Sequence, residues 1–233
     1  MTIHDLFEDG GGYRARQGAR MYGVAVGVVT NNQDPDGLGR VKVKLPWLSD
    51  DHESNWARVA VPMGGKERGT YFLPEVEDEV LIAFANGQVD QPYVVGALWN
   101  GKDKPPPEGD NSDGKNNIRV VKSRSGHTIT LDDTQDAERI VIRDGKKKAT
   151  ITLDSKDGTI TIQSDQDLKV KAKGDVSFES DGDLTIKCAA FSVDAQKTLS
   201  LKASQDGKVE AQSGLKLKSS AGVDINDGGL KVR

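Results

Sequence analysis

The sequence predicts an all-β chain in two parts. The first is an N-terminal closed barrel of oligonucleotide/oligosaccharide-binding (OB) type. The second is a C-terminal triple-stranded β-helix wound together with two further copies of the chain. Three observations carry this. An apolar residue recurs at Ile162, Val170, Phe178, Ile186, Val193, Leu201, Val209, Leu217, Ile225 and Val232, with seven intervals of eight residues and two of seven. A second apolar series runs two residues ahead, from Ile160 through Leu168, Val176, Leu184, Phe191 and Leu199 to Leu215, Val223 and Leu230, with Gly207 in the one missing slot. Upstream, five or six short apolar-polar alternating runs separated by turn formers occupy about 80 residues, the density expected of a small barrel.

Residues 1–22 read as a polar, Gly-rich arm with a single apolar hook at Ile3, Leu6 and Phe7. Strands are expected from Val24 to Val29 and from Gly39 to Leu45, then at 56–62, 70–73, 79–85 and 92–98, which delimits a barrel over 23–99. A Pro/Gly-rich linker over 100–117, containing Pro105, Pro106 and Pro107, follows. Residues 118–233 are expected to form the β-helix.

The octad decides the stoichiometry. Apolar residues at i and i+2 with charged residues between them, as in Leu168-Lys169-Val170-Lys171, make a strand with one buried face. A small residue follows two positions later (Ser164, Ala172, Ser180, Cys188, Ala195, Ala203, Ala211, Ser219), and Gly and Asp punctuate the corners. Eight residues at about 3.3 Å each supply one side and one corner of a triangular prism, not a whole coil. Three chains winding around one axis, each giving one side per level, complete it. Each octad then advances its chain by about one strand spacing of 4.8 Å, so some ten octads make a prism on the order of 50 Å long. An isolated chain would leave both strand edges open.

Composition excludes several classes. Hydrophobic content of 35% and aromatic content of 5% are lean for one globular core and suit a narrow prism with much surface. With 32 Lys+Arg against 36 Asp+Glu, a net charge of −4 speaks against general nucleic-acid binding. No apolar run approaches the length of a membrane span, and the N-terminus lacks the apolar stretch of a signal peptide. The single Cys188 fills the small slot of its octad and is expected to be a buried structural thiol, and His4, His52 and His127 share no metal-ligand spacing. No cofactor or metal is expected.

Each chemically suggestive cluster has a plainer reading. Asp34-Pro35-Asp36-Gly37 lacks the spaced oxygens of a calcium loop and reads as a hairpin turn. Glu75, Glu77, Asp78 and Glu79 sit at a strand entry and read as a solvated edge rather than a glycosidase pair. Trp47, Trp56, Tyr71, Phe72, Tyr93 and Trp99 could form a stacking platform, but with carboxylates interspersed they are expected to pack in the barrel core or the trimer interface. His127 near Ser125 has no nucleophile-elbow context, and Lys146-Lys147-Lys148 reads as a solvated turn.

Four stretches carry a family resemblance: "GVVTNNQDPDGLGRVKVKLPWL", "WARVAVPMGG", "GTYFLPEVEDEVLIAF" and "DQPYVVGALWNGKDKPP". In order, they resemble the barrel domain of the central spike proteins of contractile injection machines, among them the baseplate assembly protein V of phages and the valine-glycine repeat spikes of type VI secretion. "SRSGHTITLDDT" (Ser123 to Thr134) resembles the segment by which that family leaves the barrel and begins its β-helix. The resemblance spans roughly residues 23–135.

The resemblance implies a non-enzymatic, cell-puncturing needle at the tip of a tail tube. It would be assembled in the producing cell's cytoplasm into a virion baseplate or injection particle and driven through a target envelope when the sheath contracts. The chain is expected to lack a fused hub domain, an inserted lysozyme and a C-terminal effector. Its implied partners are two further copies of itself, a baseplate hub and a tip protein of PAAR type, with transient envelope contact and no nucleic acid. The hub is expected to be held by Ile3, Leu6 and Phe7, and the tip protein by Leu230 and Val232. The competing reading is a trimeric fibre or adhesin that binds surface glycans, which would call for an aromatic-rich terminal domain.

Overall fold

The computed structural model describes residues 20–47 and 49–222. It divides into two units that meet between Val170 and Lys171. Within the first unit the strands are β1 (Val24–Asn31), β2 (Lys42–Leu45), β3 (Ser49–Glu53), β4 (Arg58–Val59), β5 (Gly64–Gly65), β6 (Arg68–Gly69), β7 (Glu79–Phe84) and β8 (Pro92–Ala97). They are followed by β9 (Ile118–Lys122), β10 (Thr128–Asp132), β11 (Arg139–Arg143), β12 (Ala149–Asp154) and β13 (Thr159–Ser164). The chain is all-β, as expected.

The first sheet has the order β3-β2-β1-β7-β8-β4, with β4 parallel to β8 and the other neighbours antiparallel. Alternation explains its core. In β7 the sequence EVLIAF turns Val80, Ile82 and Phe84 inward, and in β1 Ala25 and Val29 face them. Val41, Val43, Leu45, Ala57, Val89 and Val94 complete the cluster. The sheet's two ends are joined outside the named strands, because Val41 and Ala57 exchange backbone hydrogen bonds of 3.0 and 2.7 Å. The run through β3 to β4 thus pairs with β2 at its start and with β8 at its finish.

Two of the expected barrel strands differ. The segment 56–62 supplies only the two-residue β4, because Ala57 is committed to Val41 and the chain then crosses to β8. Residues 70–73 form no strand, and the short hairpin β5–β6 precedes them instead. The strand β3 has an acidic sequence without apolar alternation, so only its pairing with β2 reveals it.

The second sheet is a five-stranded antiparallel meander, β9 to β13 in sequence order, and every one of its ladders closes within one chain. Within the single chain the segment 118–164 therefore pairs with itself, and its last strand, β13, carries the first octad pair, Ile160 and Ile162. The linker straps this sheet. Lys122 Nζ lies 2.8 and 2.9 Å from the two Glu108 carboxylate oxygens, and Asp133 N donates to Asn117 O at 2.9 Å. That ion pair holds the Glu108 carboxyl below its usual range.

In the second unit, residues 171–222 carry no in-chain strand pairing. The chain bends at Lys173-Gly174, Asp181-Gly182, Ala189, Gln196-Lys197, Ser204-Gln205, Gln212-Ser213 and Ser220-Ala221. With the bend at Asp165-Gln166 in the first unit, the first residues of these bends fall at intervals of 8, 8, 8, 7, 8, 8 and 8 residues. The backbone thus turns on the same period as the apolar pairs, including the short step between Ile186 and Val193.

Candidate assembly interface

The cross-strand registers of the meander align two apolar ladders on one face. Val121, Ile129, Ile142, Ile151 and Ile162 are consecutive partners across all five strands. Beside them run Leu131, Ile140, Leu153 and Ile160, with Arg119 ending the row on β9. Between 37% and 71% of the surface of each of these nine apolar residues is accessible in the single chain. The face walls a concavity of about 630 Å³ that also takes in Leu168.

The opposite face holds Lys122, Thr128, Arg143, Thr150 and Gln163 in one row, and Thr128 is almost fully buried there. Asp132, also buried, accepts from Thr134 Oγ1 at 2.6 Å and from Arg139 Nε at 3.1 Å. The Thr134 hydroxyl, with Arg139 beside it, holds the Asp132 carboxyl below its usual range. A sheet with one bare apolar side is incomplete alone, since contiguous apolar patches of this extent mark contact surfaces.

The two turns at one end of the meander are locked together. His127 Nδ1 accepts from Gly145 N at 3.0 Å, and Asp144 accepts from the backbone N–H groups of Lys146, Lys148 and Ala149. The bond from Ala149 is foremost in holding Asp144 below the ordinary carboxylate range. His127 therefore serves a turn, and the lysine run sits on the capped loop as expected.

The sequence-expected trimer-core residues are all exposed in the single chain where the structure describes them: Ile162, Val170, Phe178, Ile186, Val193, Leu201, Val209 and Leu217, with Leu201 at 87%. Cys188 is exposed as well. Ile225 and Val232, the tip-docking pair Leu230 and Val232, and the hub-docking Ile3, Leu6 and Phe7 lie outside the described residues. The seven ladder residues from Val121 to Leu153 were not among the expected core positions. Their signal, two-residue alternation in TITL, RIVI and TITL, lies upstream of the octad period.

In the barrel the aromatic residues divide. Trp56 lies 5.8 Å from the Arg40 guanidinium and 5.6 Å from Lys42 Nζ, and Arg58 sits 5.8 Å from the Tyr93 ring. Trp47, Tyr71, Phe72 and Trp99 are exposed and take no part in the barrel core. Asp34 is the centre of a turn: it receives the N–H groups of Asp36, Leu38 and Arg40 and a bidentate Arg40, which holds its carboxyl far below the ordinary range. Asp78 accepts from Glu75 N, Glu79 accepts from Asn100 Nδ2, and Glu75 pairs with Arg124, so the acidic cluster is shared among structural partners. Among the described residues no group of three or more His, Cys, Asp or Glu could hold a metal ion, and no helix is long and apolar enough to cross a membrane.

Comparison with known proteins identifies the barrel. Residues 25–99 match the type VI secretion system/phage-baseplate injector OB domain. The chain is 30% identical over 141 residues to the type VI secretion system spike protein VgrG3 of Vibrio cholerae, an alignment covering 58% of this chain and 14% of that protein. It is 43% identical over 77 residues to the spike protein VgrG5 of Pseudomonas aeruginosa, covering 31% and 10%. With VgrG1b of the same bacterium it shares 28% over 122 residues, covering 48% and 16%. The chain thus spans a small share of each relative's length. The resemblance to the spikes of contractile injection systems is borne out, and the OB fold of the barrel with it.

Proposed function

We propose that this protein is a structural central spike. In this reading three chains join their apolar ladders and octads into one triangular needle, the barrel sits at its base, and the needle is pushed through a target envelope when the sheath contracts. The relatives are spike proteins by name; trimerisation, puncture and attachment are this reading's own.

The observation that carries it is the agreement of two periods. The backbone bends on the same count, one seven-residue step included, on which exposed apolar pairs recur. A chain that turns once per octad and pairs with nothing of its own has backbone groups that need partners. Two further copies supply them, and they cover the bare face of the meander by the same arrangement. The mixed-charge outer residues, such as Lys169 beside Asp167 and Lys208 beside Glu210, keep the flanks wet. The work is mechanical, and no residue of the chain needs to do chemistry in it.

The native mass of the full chain tests this. Sedimentation should give three times the 25.1 kDa chain mass, with density for the needle at the end of a tube in the assembled particle. A 25.1 kDa species at micromolar concentration would sink the proposal. For attachment, residues 1–22 and one end of the barrel are assigned to a separate hub protein. Deleting residues 1–20 should abolish hub docking and leave the trimer intact, and a truncated trimer that docks normally rejects that assignment.

A further inference from the structure

The barrel carries an apolar groove of about 490 Å³ that the spike role leaves unused. Leu38, Val61, Met63, Tyr71 and Phe72 line it, with exposures of 69%, 40%, 54%, 75% and 67%. The aromatic pair belongs to the stretch 70–73, which forms no strand although one was expected there. Its lining carries one group of each sign, Arg68 and Glu67; the Arg68 guanidinium lies against Gly65 and forms no ion pair among the described residues. Aromatic residues, Met and Arg together make the composition of a contact surface, and a bare apolar patch of this kind calls for an occupant.

We infer that this groove seats the chain's own N-terminal hook, residues 3–9. The argument is complementarity and reach. The hook is the apolar cluster of the arm, and its sequence Ile3-His4-Asp5-Leu6-Phe7-Glu8-Asp9 surrounds three large apolar side chains with three carboxylates. Apolar residues fill the groove, and Glu8 or Asp9 meets Arg68, the one cationic group of the lining. The arm joins the barrel at Arg20, which bridges Gln88 beside the start of β1, while Leu38 lies past its far end. The eight residues of β1 span about 26 Å. The thirteen steps from Phe7 to Arg20 span up to about 45 Å. A tether of that length gives the hook an effective concentration in the millimolar range at its own barrel, which favours its own groove over a distant one.

A seated hook covers the barrel's exposed aromatic residues before assembly, and a hub that captures the same three residues has to displace it. The inference does not depend on hub binding, since it concerns the spike before docking.

Site-specific photocrosslinking of the full chain tests it. Phe7 is replaced by p-benzoyl-phenylalanine in the purified protein, and light and isotopically heavy copies are mixed before folding to separate contacts within and between chains. Crosslinks are expected within one chain to residues 61–73. Arg68→Glu should lower their yield about two- to fivefold, the range of an exposed charge pair, and Glu8→Lys in that background should restore it. Crosslinks that map elsewhere, crosslinks to another copy's groove, the absence of any crosslink, or a yield indifferent to Arg68→Glu would each overturn the seat. The crosslink map of the otherwise unaltered chain stands even where a groove variant folds poorly. Hub docking of the residue 1–20 deletion is a separate measurement, so failure of one reading leaves the other readable.

Discussion

Ile151 of β12 and Ile162 of β13 are direct cross-strand partners, and this pair is where the ladder of the meander passes into the first octad. The row that begins at Val121 continues through Ile142 and Ile151 to the first member of the octad series. The row therefore runs as one continuous apolar line across all five strands of the sheet, on a single face, and ends on an octad position.

Because Ile151 is 38% exposed in one chain and central to that line, its burial should come only with assembly. Ile151→Ala is expected to cost about 2–4 kcal/mol per chain in the assembled protein, and Ile151→Asp to prevent assembly. Sedimentation of the aspartate variant should show a species of one chain mass; a stable trimer would contradict the assignment of this face.

Arg124 Nη1 lies 2.6 Å from Glu75 Oε2 and joins the first turn of the meander to a barrel loop, yet both side chains are well exposed, at 81% and 46%. Such pairs contribute little. A double-mutant cycle with Glu75→Gln and Arg124→Gln should give a coupling of less than about 1 kcal/mol, read from denaturant midpoints. A coupling of several kcal/mol would mean that this contact anchors barrel to needle.

Gly145 has no room for a side chain. A Cβ there would stand 2.0 Å from Ser125 O and 2.9 Å from Ser125 C, both backbone atoms that cannot swing aside. Gly145→Ala should separate the two turns, break the bond from Gly145 N to His127 and cost about 3 kcal/mol. An unchanged melting temperature would show that the turns are not in contact in solution.

Asp132 sets an acid limit. Its carboxyl is held below the ordinary value by the Thr134 hydroxyl and by Arg139, so the folded chain binds this proton less readily than the unfolded chain. The contribution is complete above the unfolded value of about 3.9 and is lost as pH falls through the folded value beneath it. Asp132→Asn should destabilise by about 1–2 kcal/mol at neutral pH and flatten the decline below about pH 4. Parallel melts of both proteins between about pH 2 and about pH 6, roughly two units either side of that value, would expose an error if the two curves kept a constant gap.

Much of the molecule was legible in the chain because its signals are local. Two-residue alternation located β1, β7 and β8 to within a residue or two, and the octad count anticipated where the backbone bends in residues 165–221. Asp34 and Asp144 sit in turns that their neighbouring Gly and Pro residues announce. These features depend on side chains within a few positions of one another.

What the sequence by itself determined was the period: all-β structure, a two-residue apolar pattern and a corner every eight residues. Only the tertiary structure decided which strands meet. The joining of Val41 to Ala57, the self-pairing of β9 to β13, the loop that leaves Tyr71 and Phe72 bare, and the seat of Gly145 under Ser125 all depend on partners distant in the chain. Periodicity reports which face of a strand seeks burial. It carries no record of what comes to cover that face, because cross-strand register is set by the closure of the whole sheet.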